Sequence, residues 1–467
     1  MISFLLLCLL GSAIFGLSFF SLRKILFEGK LIYAVYSLAL ILATSATFQI
    51  LVFDVTKIAP LASSFTYLKE VFILLALLSW VIYKRDIFSI SFSCFRYDYV
   101  GIFFLALTAL YFVLPLGEAT FVNKAIYFKN ILVLAAVYFL GRNMKISTEE
   151  LLKLFHFVLL IIVCAFPIVI IEKLTDTHFQ TMIGYTDFVI AKGGETTGSY
   201  GLQYTFQANS GAKRFASFFP SPLSLATAGI LGVSISLALL NTYRNRAIIY
   251  LGTTAISFLC LFFSYSRAPL AGLFLMLIYV VYLLGYWRYI VAIVFAGALF
   301  ITIPILFGSD DLRFFIIDTF SLADPSSVGH LVDWLDGIES MLINPEGIGM
   351  ATSGNAGGVD SDLQVGGENQ FIIIGVQFGV ISMLIYSWLI IQSIVIPKKL
   401  FRRLEDKEAQ ILPFILTSFK LAFLMSLLTA NAEIYNFVAY LSWWMMGLVV
   451  QRFETLPETP KEPVLLP

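Results

Sequence analysis

The amino-acid sequence predicts an all-α polytopic membrane protein with about 12–13 transmembrane helices and two long extracytoplasmic loops, the second carrying an amphipathic surface helix. Three observations support this fold class. Of the 467 residues, 59% are hydrophobic and only 13% are charged, which is more apolar surface than a soluble domain of this length can bury. Many windows of about 18–22 residues lack charge, as membrane-spanning helices require. Lysine and arginine are also distributed unequally between alternate loops.

Apolar stretches of helical length predict thirteen membrane helices along the chain. The first is expected to be retained rather than cleaved as a signal peptide, because it lacks a basic n-region and an A-x-A site. The thirteen predicted helices cover residues 2–22, 31–53, 66–83, 99–116, 122–140, 151–172, 215–240, 247–265, 268–285, 289–307, 369–396, 411–430 and 434–451.

The basic residues predict the orientation of these helices in the membrane. One set of alternate loops holds nineteen Lys and Arg residues, the opposite set holds ten, and Lys420 lies inside a helix. Because basic residues accumulate in short cytoplasmic loops, we expect the N-terminus outside the membrane and the C-terminus on its cytoplasmic side. The chain then divides into six parts: N-terminal helices at 1–172, a first outer loop at 173–213, helices at 214–307, a second outer loop at 308–367, C-terminal helices at 368–451, and a disordered cytoplasmic tail at 452–467.

The second long loop contains a pattern that differs from the membrane helices. Asp324 followed by a proline is a helix start, and an Asn-Pro pair at 344–345 ends the helix. Between them an apolar stripe recurs every three or four residues, which is typical of an amphipathic helix on a membrane surface. Seven glycines follow before Glu368 and Asn369, at the mouth of the next membrane helix.

Composition argues against several classes of function. A net charge of zero gives no reason to expect nucleic acid as a partner. Four cysteines without CxxC spacing predict neither a disulfide nor a zinc site. The D-x-D at 360–362 could hold a metal in a sugar-nucleotide enzyme, but a solvated loop is the favoured interpretation here. We therefore expect no metal and no cofactor.

Two arginines stand at predicted outer membrane boundaries. Arg214 lies where the first outer loop enters a helix, and Arg267 lies between two helices that leave almost no loop. Either side chain can be an interfacial anchor. The alternative is an anion clamp, because guanidinium binds phosphate oxygens bidentately. Ser264 and Ser266 could orient Arg267.

Acidic and imidazole groups near the second loop are candidates for proton transfer or substrate binding. Glu368 could be an ordinary helix cap, or a partly desolvated general base with Asn369 as a hydrogen-bond partner. His330 lies one turn from Asp333 on the amphipathic helix, and it is either structural or substrate-binding.

Two lysines complete the set of candidate substrate contacts. Lys420 lies in the middle of a predicted membrane helix, where an ammonium marks a functional site or a structural ion pair. Lys124 lies near the outer end of another helix and could meet lipid phosphates or act as an anchor.

Residues 210–395 resemble the O-antigen ligase and polymerase superfamily of bacterial envelopes. The resemblance rests on RFASFFPSPLSLA, SYSRAPLAGL, HLVDWLDGIESMLINPEGIGM and ENQFIIIGVQFGVISML, in this order and on one predicted side. It implies that Arg214 and Arg267 bind the pyrophosphate of a lipid-linked glycan. Ligases of this family have a histidine before the asparagine where this chain has Glu368, and that departure favours a polymerase. Family members also often carry arginine where this chain has His330.

The resemblance and the residues together predict a polymerase-like, metal-independent and inverting membrane glycosyltransferase. It would join polyprenyl-pyrophosphate-linked oligosaccharide repeats on the outer face of the cytoplasmic membrane, with Glu368 as the base. Its expected partners are a lipid-linked donor and acceptor, membrane lipids and a chain-length regulator protein. One alternative is a ligase that transfers glycan to lipid A-core. Another is a polysaccharide or lipid flippase, which would predict charged or broken helices at the membrane midplane.

Overall fold

The structure, a computed structural model, describes residues 2–85, 94–208, 211–308, 325–360 and 363–456, together with positions 313 and 317. These residues form an all-α protein whose only β-type pairing is an isolated bridge between Gln207 and Lys213. Three predicted features fall outside the described residues: the N-cap at Asp324, the last two residues of the D-x-D, and most of the C-terminal tail.

Fourteen long helices make up the architecture of the described residues. They are α1 (Ile2–Glu28), α2 (Ile32–Thr56), α3 (Leu68–Lys84), α4 (Arg96–Val113), α5 (Phe121–Arg142), α6 (Thr148–Thr175), α7 (Pro222–Thr242), α8 (Ala247–Phe263), α9 (Arg267–Leu283), α10 (Ile290–Phe307), α11 (Pro325–Ile343), α12 (Gln370–Arg403), α13 (Ile411–Thr429) and α14 (Asn436–Thr455). Short helical segments occur at Ala59–Ser64, Phe179–Met182 and Tyr185–Ala191, and single 3-10 turns at Phe65–Tyr67, Tyr204–Phe206, Arg244–Arg246, Trp287–Tyr289 and Ala432–Ile434.

Each of the thirteen predicted apolar segments corresponds to one of these helices, and the fold class is confirmed. Eleven helices of the described residues are long and apolar enough to cross a membrane. Of the two others, α9 is apolar but only 17 residues long, and α14 is more polar. The predicted amphipathic helix is α11.

Several predicted boundaries need correction, and α1 and α12 continue to Glu28 and Arg403, six and seven residues beyond their predicted ends. The helix expected from 215 begins only at Pro222, because residues that precede proline disfavour helical backbone and Ser221 is extended, with its hydroxyl accepting from the Ser224 N–H at 3.2 Å. At the other end of the chain, α14 continues to Thr455, so the predicted tail that starts at 452 begins as helix.

The core of the helical bundle is formed by α7, α13 and α14, whose side chains are buried on nearly all sides. Small residues let helices approach closely, as is common in membrane proteins. A Cβ at Gly141 of α5 would stand 2.1 Å from the Trp444 carbonyl oxygen of α14, and one at Gly447 would stand 2.2 Å from the Tyr138 carbonyl oxygen. The α5–α14 contact is therefore a backbone-to-backbone contact.

The loop after α11 packs into the bundle instead of extending into solvent. At Gly379 the helix α12 is broken, with φ at 80°, and the loop backbone fits into the break. The Val380 N–H donates to the Pro345 carbonyl at 2.9 Å, and the Ile348 N–H donates to the Val376 carbonyl at 2.8 Å. Further along, all four residues of 350–353 are buried. These backbone hydrogen bonds and the burial of residues 350–353 fix the conformation of the loop between α11 and α12.

The apolar stripe of α11 divides between two environments. Met341 packs against Gly375 of α12, and Trp334 joins the same apolar cluster. Leu335 and Leu342 on the same helix remain 57% and 79% exposed. An apolar face left open beside a bundle of membrane helices agrees with the predicted position of α11 at a membrane surface.

Candidate active site at one end of the helical bundle

Arg214 lies in an extended segment that is tied to the bundle by backbone contacts. Its N–H donates to the Phe206 carbonyl at 2.9 Å, and the next residue, Phe215, donates to the Phe263 carbonyl at the end of α8 at 3.2 Å. The buried carboxylate of Glu172 accepts from the Ser217 N–H at 2.9 Å and from the Phe179 N–H at 2.8 Å. The segment that carries the arginine is therefore fixed on both sides.

The guanidinium of Arg214 is positioned by the turn between α8 and α9. Its Nε donates to the Ser264 carbonyl at 3.1 Å, and its Nη2 donates to the Ser266 hydroxyl at 2.8 Å. The sequence suggests that Ser264 and Ser266 could orient Arg267, and in the structure both serines bond to Arg214. Two of the guanidinium nitrogens are thus held by the protein before any ligand arrives.

Arg267 is the first residue of α9, in the same turn. Burial, opposed by Tyr435 and assisted by the neighbouring charge of Arg267, lowers the pKa of Arg214 from 12.5 to about 10. The side chain remains protonated at neutral pH. Two guanidinium groups are therefore placed at the same turn, and guanidinium groups bind phosphate oxygens bidentately.

Glu368 is paired with His330. The His330 Nδ1 lies 2.6 Å from Glu368 Oε2, and both side chains are about one-third exposed, at 34% and 32%. The Trp334 indole N–H also donates to the Glu368 carbonyl at 3.4 Å. On the same helix face, burial raises the pKa of Asp333, and the charge of Glu368 raises it further. The sequence places His330 one turn from Asp333, and the structure adds its contact with Glu368, the candidate base.

Asn369 has a structural contact. Its Oδ1 accepts from the backbone N–H groups of Phe371 at 3.0 Å and Ile372 at 3.3 Å, which makes it the N-cap of α12. Such a cap is worth about 1 kcal/mol of helix stability. It also fixes the direction in which the preceding residue, Glu368, leaves the helix.

Tyr435 lies close enough to Arg214 and to Glu368 to interact electrostatically with both. It lies in the short connection between α13 and α14 and is 6% exposed. Burial raises its pKa above the ordinary tyrosine value, the charge of Arg214 lowers it, and the charge of Glu368 raises it. Both groups are thus within electrostatic reach of one phenol. The arginine turn and the carboxylate–imidazole pair consequently belong to one end of the bundle.

The two lysines are placed elsewhere. Lys124 is buried, and its Nζ donates to the Leu116 carbonyl at 2.6 Å and the Leu114 carbonyl at 3.3 Å, just beyond the end of α4. Lys420 is fully buried in α13, where Nζ has no hydrogen-bond partner among the described residues and lies 4.6 Å from the ring centroid of Trp443. Glu433 is its electrostatic neighbour. Lys124 therefore binds backbone carbonyls near a helix end, and Lys420 lies inside the bundle beside Glu433 and Trp443.

Sequence reasoning missed three groups that organise this end of the bundle: Glu172, Glu433 and Tyr435. Glu433 accepts hydrogen bonds from the Tyr386 hydroxyl at 2.9 Å and the Trp443 indole at 3.1 Å. An acidic residue in a very short connection between two apolar helices is the signal that could have identified it. No pattern in the sequence distinguishes Tyr435 from an interfacial anchor.

Comparison with known proteins supports the resemblance found in the sequence. Residues 252–387 match the protein-family model described as O-antigen ligase. The matched segment contains the α8–α9 turn with Arg267, the helix with His330, and Glu368, while Arg214 lies before it. No curated protein matches the chain. In its helical bundle and in the matched segment, this chain is similar to membrane proteins of the O-antigen ligase/polymerase superfamily.

Proposed function

We propose that this protein is a polymerase-like glycosyltransferase of the bacterial cytoplasmic membrane that joins lipid-linked oligosaccharide repeats at its outer face. The observation that carries the proposal is that Arg214, which has Arg267 beside it, and Glu368, which is paired with His330, both lie within electrostatic reach of Tyr435. The distribution of basic residues supports an extracytoplasmic position for this end of the bundle.

The arginines account for the donor. Arg214 and Arg267 bind the pyrophosphate that links glycan to polyprenol, and they stabilise the negative charge that grows on it as the anomeric bond breaks. Because Ser264 and Ser266 already orient Arg214, this guanidinium needs little reorganisation during the reaction. No metal is required in this scheme, since the arginines supply the positive charge.

The carboxylate accounts for the acceptor. A sugar hydroxyl of the second substrate attacks the anomeric carbon of the donor from the face opposite the leaving group. The new glycosidic C–O bond forms as the bond to the pyrophosphate breaks, the pyrophosphate departs with the electron pair, and the hydroxyl proton goes to Glu368. His330, bonded to Oε2, orients this carboxylate. The reaction inverts the anomeric configuration.

The second candidate is a ligase that transfers finished glycan to lipid A-core, and the family name of the matched segment favours it. The glutamate at position 368, where ligases of this family are expected to have histidine, favours the polymerase. The two activities share the donor chemistry and differ in the acceptor.

Removal of the protein from its native cell separates the candidates. Lipid-linked glycans are extracted and sized, and their accessibility to an impermeant sugar oxidant is measured from outside. Single repeats accessible from outside support the polymerase. Long, unattached lipid-linked chains indicate the ligase, and single repeats protected from the oxidant indicate a flippase.

A further inference from the structure

We infer that a cavity beside the arginine–glutamate site binds a second phosphate-bearing lipid, the glycan acceptor, and that Lys69 and Lys129 bind its phosphate. The inference rests on the proposed function for the identity of the acceptor. The cavity itself, its charge and its apolar wall are independent of that function.

The cavity has a volume of about 460 Å³ and lies between α3, α4, α5, α12 and α14. Its lining follows α5 from Ile126 to Phe139, which is about 20 Å along the helix. This length is roughly two-thirds of the ~30 Å hydrocarbon core of a bilayer. An elongated space of this size suits part of a lipid chain better than a compact solute.

One end of the cavity is apolar and open at its side. Ile102, Leu105, Leu134 and Leu389 line it, and Ile102 is 50% exposed although it lines the cavity. An isoprenoid or acyl chain could therefore enter from the surrounding lipid. Asp98 also lines this region, but it is neutralised.

Asp98 is bound by Arg142, through Nε at 3.1 Å and Nη2 at 2.7 Å. A second carboxylate, Glu454, accepts from the same guanidinium at 2.9 Å. This end of the cavity thus carries no uncompensated positive charge that would attract a phosphate.

The other end carries an excess of positive charge. Lys69 and Lys129 both line the cavity and share one carboxylate, with Nζ atoms 3.4 Å and 2.7 Å from Glu70 Oε1. Two ammonium groups therefore face one carboxylate. Because Lys69 and Glu70 are only 13% and 14% exposed, water screens this excess positive charge only in part. Lys420 and Glu433 lie near the same end, and their opposite charges add no net charge to it. One phosphate charge would balance the cluster.

Polar side chains that suit a carbohydrate surround the same end. Amide groups line it at Asn130, Asn355, Gln370, Asn431 and Asn436. Each amide offers both donors and acceptors, as sugar hydroxyls do. Gln370 is two residues from Glu368, and Glu433 is two residues from Tyr435, so the polar end adjoins the elements that carry the candidate base.

The position of the cavity favours the acceptor over the donor. The donor pyrophosphate has its own cationic pair at Arg214 and Arg267, and neither arginine lines the cavity. The cavity presents a separate lysine pair, partly offset by Glu70, that can bind one phosphate of the pyrophosphate through which the acceptor glycan is linked to its lipid. A transfer between two lipid-linked substrates requires two such places.

Site-specific photo-crosslinking tests the inference. A benzophenone amino acid is placed at Ile102, in the cavity wall, and in separate protein at Ile381, which is 69% exposed on α12 and does not line the cavity. Both proteins are reconstituted in nanodiscs of phosphatidylethanolamine and phosphatidylglycerol with radiolabelled polyprenyl phosphate. We expect crosslinking at Ile102 to be saturable, and crosslinking at Ile381 to rise in proportion to the probe.

Charge removal provides the second part of the test. Lys69→Gln with Lys129→Gln should reduce saturable crosslinking at Ile102 by about tenfold or more, since charge-assisted contacts are lost. Lys129→Gln alone covers the case in which the double variant does not fold. The matched control is Lys57→Gln, a lysine that pairs with Asp54 at 62% exposure and should change nothing.

Three outcomes overturn the inference: saturable crosslinking that is unchanged by the lysine variants, no saturable crosslinking at Ile102, or complete competition by phosphatidylglycerol at its membrane concentration, which identifies an ordinary phospholipid as the occupant. Because the readout is binding without turnover, it is independent of the proposed function. That function fails separately, if the Glu368→Gln variant transfers glycan at the normal rate.

Discussion

The imidazole of His330 on α11 lies 2.6 Å from the carboxylate of Glu368, at the start of α12. The two residues belong to different helices joined by a loop that packs into the bundle, and that packing holds the pair together. Glu368 is the candidate general base. His330 can hold the orientation of this carboxylate and share its proton.

Glu368→Gln should abolish transfer and leave donor binding intact. Glutamine keeps the size of the side chain but cannot accept a proton, and loss of a general base typically costs about 10²–10⁴ in rate. His330→Gln should reduce the rate less, because it removes only the orienting group. The measurement is turnover of a labelled lipid-linked repeat in proteoliposomes.

Glu368→His provides the complementary test. It should retain part of the activity with a pH profile moved toward the imidazole range. If Glu368→Gln turns over like the unmodified protein, the carboxylate is only a structural group at the start of α12.

Arg214→Lys and Arg267→Lys should each lower the rate by about 10²–10³, although the charge is retained, because lysine cannot make the bidentate contact with phosphate. Ser266→Ala should have a smaller effect, since it frees Nη2 of Arg214 without removing the guanidinium. Arg288→Lys, at the opposite end of α9, is the control. Normal turnover by both lysine variants at equal protein level would reduce the two arginines to membrane anchors.

The orientation of the site can be measured with cysteines in a background lacking the native Cys8, Cys94 and Cys164. Glu195→Cys and Glu346→Cys, both exposed at the proposed outer side, should react with an impermeant thiol reagent in intact cells whose outer membrane, if any, is permeabilised. Lys407→Cys, exposed at the proposed cytoplasmic side, should react only after lysis. The reverse pattern would contradict both the topology and the outer active site.

Gly379→Ala should destabilise the protein and weaken activity. The backbone there has φ at 80°, and a Cβ would stand 2.7 Å from the carbonyl oxygens of both Pro345 and Glu346. We expect a loss of roughly 1–3 kcal/mol from the strained conformation, measured as a lower midpoint of thermal unfolding in detergent. Gly16→Ala is the control, because open space surrounds that position on α1. Equal thermal unfolding midpoints for the two variants would contradict the packing of the loop backbone against Gly379.

Acidification should destabilise the first outer loop through His178. Burial lowers the pKa of this imidazole from 6.5 to about 4, so the unfolded chain takes up the proton first as the pH falls. The contribution of neutral His178 to the free energy of unfolding is therefore fully present above about pH 6.5, and it is lost as the pH falls toward 4. His178→Gln should flatten this part of the pH dependence of the unfolding midpoint. An unchanged slope in that variant would assign the pH dependence to other groups.

The membrane helices, the amphipathic helix α11 and the resemblance to the O-antigen ligase/polymerase superfamily could all be predicted from the amino-acid sequence. These features are local: an uncharged apolar run of sufficient length forms a helix in a membrane whatever surrounds it, and the motifs stand in contiguous pieces. The start of α7 was missed by seven residues, because Ser221 and the prolines around it prevent a helix that hydrophobicity alone would allow.

Which side chains come into contact depends on the tertiary structure. His330 and Glu368 are separated by 38 positions, and Arg214 reaches Ser266 across 52. No periodicity reports such contacts, because they depend on how the broken helix α12 receives the loop from α11 and on how closely glycines let neighbouring helices pack. For the same reason, the sequence alone suggests that Lys124 and Asn369 are available to contact a substrate. Their polar groups satisfy helix ends in the folded chain, as buried backbone carbonyls and N–H groups require.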